Sequence, residues 1–168
     1  MESVLEDYVS LENYVNGLDM PDCEKDIYHF IMLWALYNKA YVDYWQRMSE
    51  PYSERGAVKS FFKNEAEEYV RSYDSDRSLV SGLPSHEIED MRPQHIRGGY
   101  SSSSLRDQGR ITGETFGLFI YQVRCNLFHG QKSVFQINPD ERDMKFIRWS
   151  LKHLRELVKY HQACRNNY

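Results

Sequence analysis

The chain has few cysteines, and they lie far apart: Cys23, Cys125 and Cys164. No CxxC pair or other closely spaced set of metal ligands occurs, which argues against a structural zinc module. His161 and Cys164 are one helical turn apart, but two ligands do not make a zinc site, so they read as helix surface. An odd number of cysteines predicts reduced thiols and a cytoplasmic setting. No apolar run approaches the ~20 residues needed to span a bilayer, so no membrane is expected. The opening MESVLEDY is acidic, without a secretory leader's basic and apolar regions. The Gly98–Gly99 pair lacks the strand, the spacing and the lysine of a phosphate-binding loop. No resident cofactor or metal is expected, and no segment reads as a strand.

At 168 residues the chain is expected to form one domain with a real core. Its net charge of −4 does not itself suggest a nucleic-acid partner. The distribution says more. Residues 1–91 hold 19 acids and 8 bases, a balance of −11, and residues 92–168 hold 6 acids and 13 bases, a balance of +7. A basic half can gather a polyanion even on an acidic protein. Equally, the two halves can attract each other within the fold.

What is abundant is apolar periodicity at helical spacing. Val4, Leu5, Tyr8, Leu11, Val15 and Leu18 predict a helix over 2–18. Ile27, Phe30, Ile31, Trp34, Tyr37, Tyr41, Tyr44, Trp45 and Met48 predict a central helix over 22–49, with His29 at the edge of the core. Val58, Phe61, Phe62, Ala66, Tyr69, Val70 and Tyr73 predict a helix over 56–73, with a short turn or helix at 75–81. Met144, Ile147, Leu151, Leu154 and Val158 predict a last helix over 140–164, with Arg142, Lys145, Arg148, Lys152, Arg155 and Lys159 on its polar faces. Residues 82–112 carry prolines, paired glycines and four consecutive serines, which predicts a long loop. Its Arg92, His95, Arg97, Arg106 and Arg110 suit phosphate contacts or a solvated loop. The expected architecture is all-α, an up-and-down bundle of four to five helices.

Residues 113–132 stand apart. Phe116, Ile120, Val123 and Leu127 form one apolar stripe, and Leu118, Tyr121, Cys125 and Phe128 form a second on a roughly opposite face. The first stripe is expected to face the core. The second needs another cover, and a second copy of the chain is the simplest one. Gly130 suits the left-handed position that stops a helix, which puts His129 at the helix end, five residues beyond Arg124.

The run Ile120–Lys132, IYQVRCNLFHGQK, resembles the signature of the HEPN superfamily: an arginine, four to six residues, then a histidine at the end of a helix. It is most similar to the Apea-like members, which carry the His-Gly pair. Cys125 stands where members often have Asn, Asp or His, with Asn126 one place later. Gln131 stands where some two-component members carry a tyrosine. The resemblance implies a helical homodimer and, in many members, a metal-independent endoribonuclease whose site takes one arginine and one histidine from each copy. A toxin or phage-defence effector is one role this allows, with an antitoxin or regulatory partner. The alternative is a non-catalytic dimer that binds nucleotide, RNA or a protein.

The chemistry suits the residues. Histidine titrates near neutrality and can move the proton of a ribose 2′-hydroxyl. Arginine keeps its charge and can hold a phosphate. His129 and Arg124 are therefore the expected catalytic pair, with Lys132 and Asn126 positioning RNA. Asn38, set among aromatics in the central helix, reads either as a residue satisfied by neighbouring backbone or by the helix edge, or as a polar group in the cleft near Arg124.

Overall fold

A computed structural model describes residues 2–47, 51, 53–73, 78–80, 83, 111–129 and 142–166. Within these segments, the side chains of residues 2, 3, 6, 78, 126, 128, 129, 142, 143, 165 and 166 are not described. The helices are α1 (Glu2–Asn16), α2 (Asp22–Gln46), α3 (Glu54–Glu65), α4 (Glu67–Ser72), α5 (Gly113–His129) and α6 (Arg142–Asn166), with a 3₁₀ turn at Ser78–Val80. No strand occurs among the described residues, so the all-α expectation holds. The loop expected over 82–112 lies outside the described residues except at its ends.

The core follows the periodicity closely. Val4, Leu5, Tyr8, Leu11 and Val15 of α1 are buried against α2. Leu18 lies beyond the end of α1 and is only half-buried. In α2, Phe30, Leu33, Tyr37 and Tyr41 are fully buried, while Ile31 and Tyr44 are at the margin. Pro21 precedes α2, and Asp22 and Glu24 occupy its first turn, where carboxylates favour the positive end of the helix dipole. All five apolar residues that define the α6 heptad pattern are buried, and Phe146, Trp149 and Leu157 are buried with them.

The helix expected over 56–73 is broken at Ala66 into α3 and α4. The start of α5 supplies the reason. The Gly113 N–H donates to the Glu67 carboxylate at 2.7 Å. A Cβ on Gly113 would lie 2.4 Å from the Phe62 carbonyl oxygen and 2.8 Å from the Glu67 nitrogen. A Cβ on Gly117 would lie 2.4 Å from Cγ of the Phe62 ring. Two glycines four residues apart thus bring α5 down onto α3, as small residues at this spacing do in close helix pairs.

Two buried polar clusters tie the helices together. The first joins α1, α2 and α6. His29 was expected at the core edge, but it is only 2 % exposed. Its Nδ1 accepts from an Arg155 guanidinium nitrogen at 2.6 Å, and its Nε2 lies 2.7 Å from Oε1 of Glu12. Arg155 Nε also donates to Glu12, at 2.9 Å. Because arginine only donates, His29 is neutral with its proton on Nε2. Burial, then the Arg155 charge, hold its pKa below the usual histidine value.

The second cluster joins α4 and α6. His153, 1 % exposed, has Nδ1 2.8 Å from the Tyr69 hydroxyl. Tyr69 and Tyr73 donate to Oε2 of Glu156 at 3.0 and 2.8 Å. The His153 ring is packed among Tyr69, Tyr73, Phe116 and Trp149. Burial lowers its pKa to about 4.

Candidate active site

α5 carries the predicted pair along one rod. Arg124 lies in its second-to-last turn, and His129 is its final residue. Five residues of helix separate the two by about 7.5 Å along the axis. At this end the helix carries the negative pole of its dipole, which favours a cation. Of the other predicted site residues, Asn126 lies on α5 with its side chain not described, as for His129, and Lys132 lies outside the described residues.

The first apolar stripe faces the core as expected: Phe116, Ile120 and Val123 are buried, and Leu127 is at the margin. The second stripe is covered in part by the chain itself. Cys125 is 8 % exposed, and the Tyr121 ring lies 6.3 Å from that of Trp34. Leu118 is only half-buried. A second copy is thus not needed to cover Tyr121 and Cys125, because α2 and α3 of the same chain lie close enough to shelter them.

One residue that the sequence reading did not single out organises the site. Glu54, the first residue of α3, is a hub. Its Oε1 accepts from the Tyr41 hydroxyl at 3.0 Å, and its Oε2 accepts from the Tyr121 hydroxyl at 3.3 Å. Oε1 also lies 3.7 Å from a terminal nitrogen of Arg124. Glu54 owes its position to the start of α3. Ser53 caps that helix by accepting from the Gly56 N–H at 3.3 Å. The Trp45 indole donates to the Pro51 carbonyl at 3.3 Å, pinning the connection that leads to Glu54.

The geometry leaves Arg124 steered rather than locked. A separation of 3.7 Å is longer than a charge-assisted hydrogen bond. The Arg124 and Glu54 side chains are 21 % and 30 % exposed, so the pair is part-buried. Arg124 also touches Cys125 Sγ at 3.9 Å, a weak contact. Burial, Cys125 and the Glu54 charge push the Tyr121 phenol up, so it stays a donor to the carboxylate.

Asn38 falls on the α2 stripe that faces this site. Trp34, Asn38, Tyr41 and Trp45 lie within about 60° of azimuth on an ideal helix. Asn38 is half-buried. The buried indole N–H of Trp34 has no hydrogen-bond partner among the described residues.

A spacing argument finds Arg124 but not Glu54, which lies 70 residues earlier in the chain. The available signal was an acid at a capped helix start, after the chain turns back at Pro51. Among the described residues, no helix is long and apolar enough to cross a membrane. No protein-family model, no curated protein and no solved structure matches the chain.

Proposed function

We propose that the end of α5 is the active site of a metal-independent endoribonuclease of the HEPN type, completed by a second copy of the chain. One observation carries this reading. A part-exposed arginine is aimed by a tyrosine-held carboxylate at the end of a helix whose last residue is a histidine. Arg124 then balances charge on the phosphate while His129 moves protons. The ribose 2′-oxygen bonds to phosphorus as its proton passes to one imidazole. The bond from phosphorus to the 5′ oxygen breaks as that oxygen takes a proton from the other copy's imidazole. The products are a 2′,3′-cyclic phosphate and a free 5′-hydroxyl, and DNA, lacking the nucleophile, is not cut. Asn126 and Lys132 position the RNA. Asn38, half-buried on the α2 stripe that faces this site, supplies a further polar contact.

A second reading also has an observation behind it. Glu54 already balances the Arg124 charge within one chain. That favours a dimeric module that binds nucleotide, RNA or a protein without turnover. A toxin or phage-defence role, with an antitoxin or regulatory partner, is compatible with either reading.

The deciding experiment incubates wild type, Arg124→Ala and His129→Ala with end-labelled RNA in the presence of EDTA. Cleavage by wild type alone, leaving cyclic phosphate ends, is the expected result. Equal cleavage by all three, or none by wild type, removes the enzyme reading. RNA binding that persists without turnover supports the second.

A further inference from the structure

The outer face of α6 carries a stripe of positive charge that the α5 site does not use. Lys145, Arg148, Lys152 and Lys159 are all exposed. On an ideal helix they fall within about 60° of azimuth and span about 21 Å of axis. The core side of the same helix is occupied by Met144, Ile147, Leu151, Leu154 and Val158, so the stripe is fixed outward. Lys145 and Lys159 have no ion-pair partner among the described residues. Arg148 pairs with Asp26 at 2.8 Å, and Lys152 lies 4.0 Å from Glu156. Among the described residues of α6, Glu156 is the one acid beside the stripe, and its Oε2 is taken by the Tyr69 and Tyr73 hydroxyls.

The stripe also begins at the right end of the molecule. Phe119 packs on Phe146, and Phe116 packs on Trp149 and His153. α5 and α6 are therefore antiparallel, and Lys145 stands at the end of the bundle that holds Arg124.

We infer that this stripe binds the backbone of a single-stranded RNA and leads it to the α5 end. The inference rests on the ribonuclease reading for its direction but not for its existence, because the stripe can bind where nothing is cut. The form of the surface favours a nucleic-acid backbone over a membrane. An anionic bilayer is held by basic residues beside exposed apolar ones. Among the described residues, the exposed large hydrophobic ones, Val9 and Tyr14, are both on α1. A row of cations without apolar neighbours suits a flexible chain of phosphates, where binding is driven by counterion release.

The test uses a fluorescent single-stranded 2′-O-methyl RNA, which cannot be cleaved, and follows anisotropy against salt. Wild type should bind with a steep salt dependence. The Lys145→Gln, Lys152→Gln, Lys159→Gln triple variant should bind at least about tenfold more weakly, with a log–log salt slope shallower by about 2, given about 0.7 per phosphate on single strands. Ala163→Lys extends the stripe at an exposed position and should steepen the slope by about 0.7.

Unchanged affinity and slope in both the triple variant and Ala163→Lys would overturn the inference. So would binding to phosphatidylserine vesicles in place of RNA. Loss of self-association by the triple variant in sedimentation velocity would overturn it too, because a second copy would then cover the stripe. Salt-dependent binding by a wild type that cleaves no RNA would keep the stripe and remove the ribonuclease reading.

Discussion

Two arginine–carboxylate pairs sit at opposite ends of one kind of design. Arg155 meets Glu12 at 2.9 Å with His29 wedged between them, and the histidine is almost wholly buried. Arg124 meets Glu54 at 3.7 Å, with tyrosine hydroxyls on both carboxylate oxygens, and the two pairs are about equally exposed to solvent. In the first cluster the imidazole's two nitrogens face protein partners at close range, so its natural role is to fasten α1 to α2 and α6. In the second, the carboxylate lies beyond charge-assisted hydrogen-bond distance of the guanidinium. An Arg–His–carboxylate set is thus not in itself a sign of chemistry. What separates the two is the grip, a closed pair at 2.9 Å and a more open one at 3.7 Å.

The sharpest way to break this contrast is Arg124→Ala. If the open pair is catalytic, cleavage should fall by about 10²–10³, the loss seen when a donor to a developing oxyanion is removed. Stability should change by less than about 1 kcal/mol, because a long, part-exposed pair contributes little. Single-turnover RNA cleavage and urea unfolding measure the two effects. A large loss of stability with activity retained would place Arg124 in the fastening class.

Acid separates the closed clusters from the open end next. His153 is neutral in the fold with a pKa of about 4, against 6.5 for an ordinary histidine. Between those values the unfolded chain takes up a proton that the folded chain refuses. Stability is therefore full above pH 6.5 and falls as pH drops towards 4, by roughly 3 kcal/mol. His29, also held below the ordinary value, acts in the same direction. Urea midpoints measured from pH 7 to pH 4 should show the decline, and His153→Gln should flatten it. The pH profile of cleavage should follow His129 instead, so the two curves should separate.

Arg155→Ala tests the closed pair directly. It removes the guanidinium that donates both to Glu12 and to His29 Nδ1, while Glu12 keeps His29 Nε2 at 2.7 Å. A loss of about 2 kcal/mol is expected, since hydrogen bonds to charged groups are worth about 1.5–3 kcal/mol. The rate of cleavage per folded molecule should not change.

The sequence makes one class of these features readable and hides the other. Periodicity located α1, α2, α5 and α6 because each buries one face, and burial repeats at the helical period. It did not show the break at Ala66, because Val58, Phe61, Phe62, Tyr69 and Val70 keep their rhythm across it. The break comes from Gly113, more than 40 residues later, pressing on the Phe62 carbonyl. Arg124 and His129 were legible because both lie on one helix with a glycine beyond. Glu54, Tyr41 and Tyr121 come from three helices, and only folding brings their oxygens together. Likewise, His29 and His153 carry no local mark of burial, since Arg155 and Tyr69, which bond them from other helices, lie more than 80 residues away.

The smallest expected effect discriminates most finely within the open pair. Tyr41 and Tyr121 both donate to Glu54, but to different oxygens. Tyr121→Phe empties Oε2 and leaves the Oε1 that faces Arg124 as it was. The bond lost is long at 3.3 Å, so less than about 1 kcal/mol and at most about fivefold in rate are expected. Tyr41→Phe empties Oε1 itself. That oxygen can then close on the guanidinium, tightening the ion pair and withholding Arg124 from phosphate. Its effect on cleavage should therefore exceed that of Tyr121→Phe, and high salt, which weakens the ion pair, should partly restore it. Equal effects from the two phenylalanines would mean that Glu54 acts as a simple packing partner, and that the aim of Arg124 is set by something other than the carboxylate.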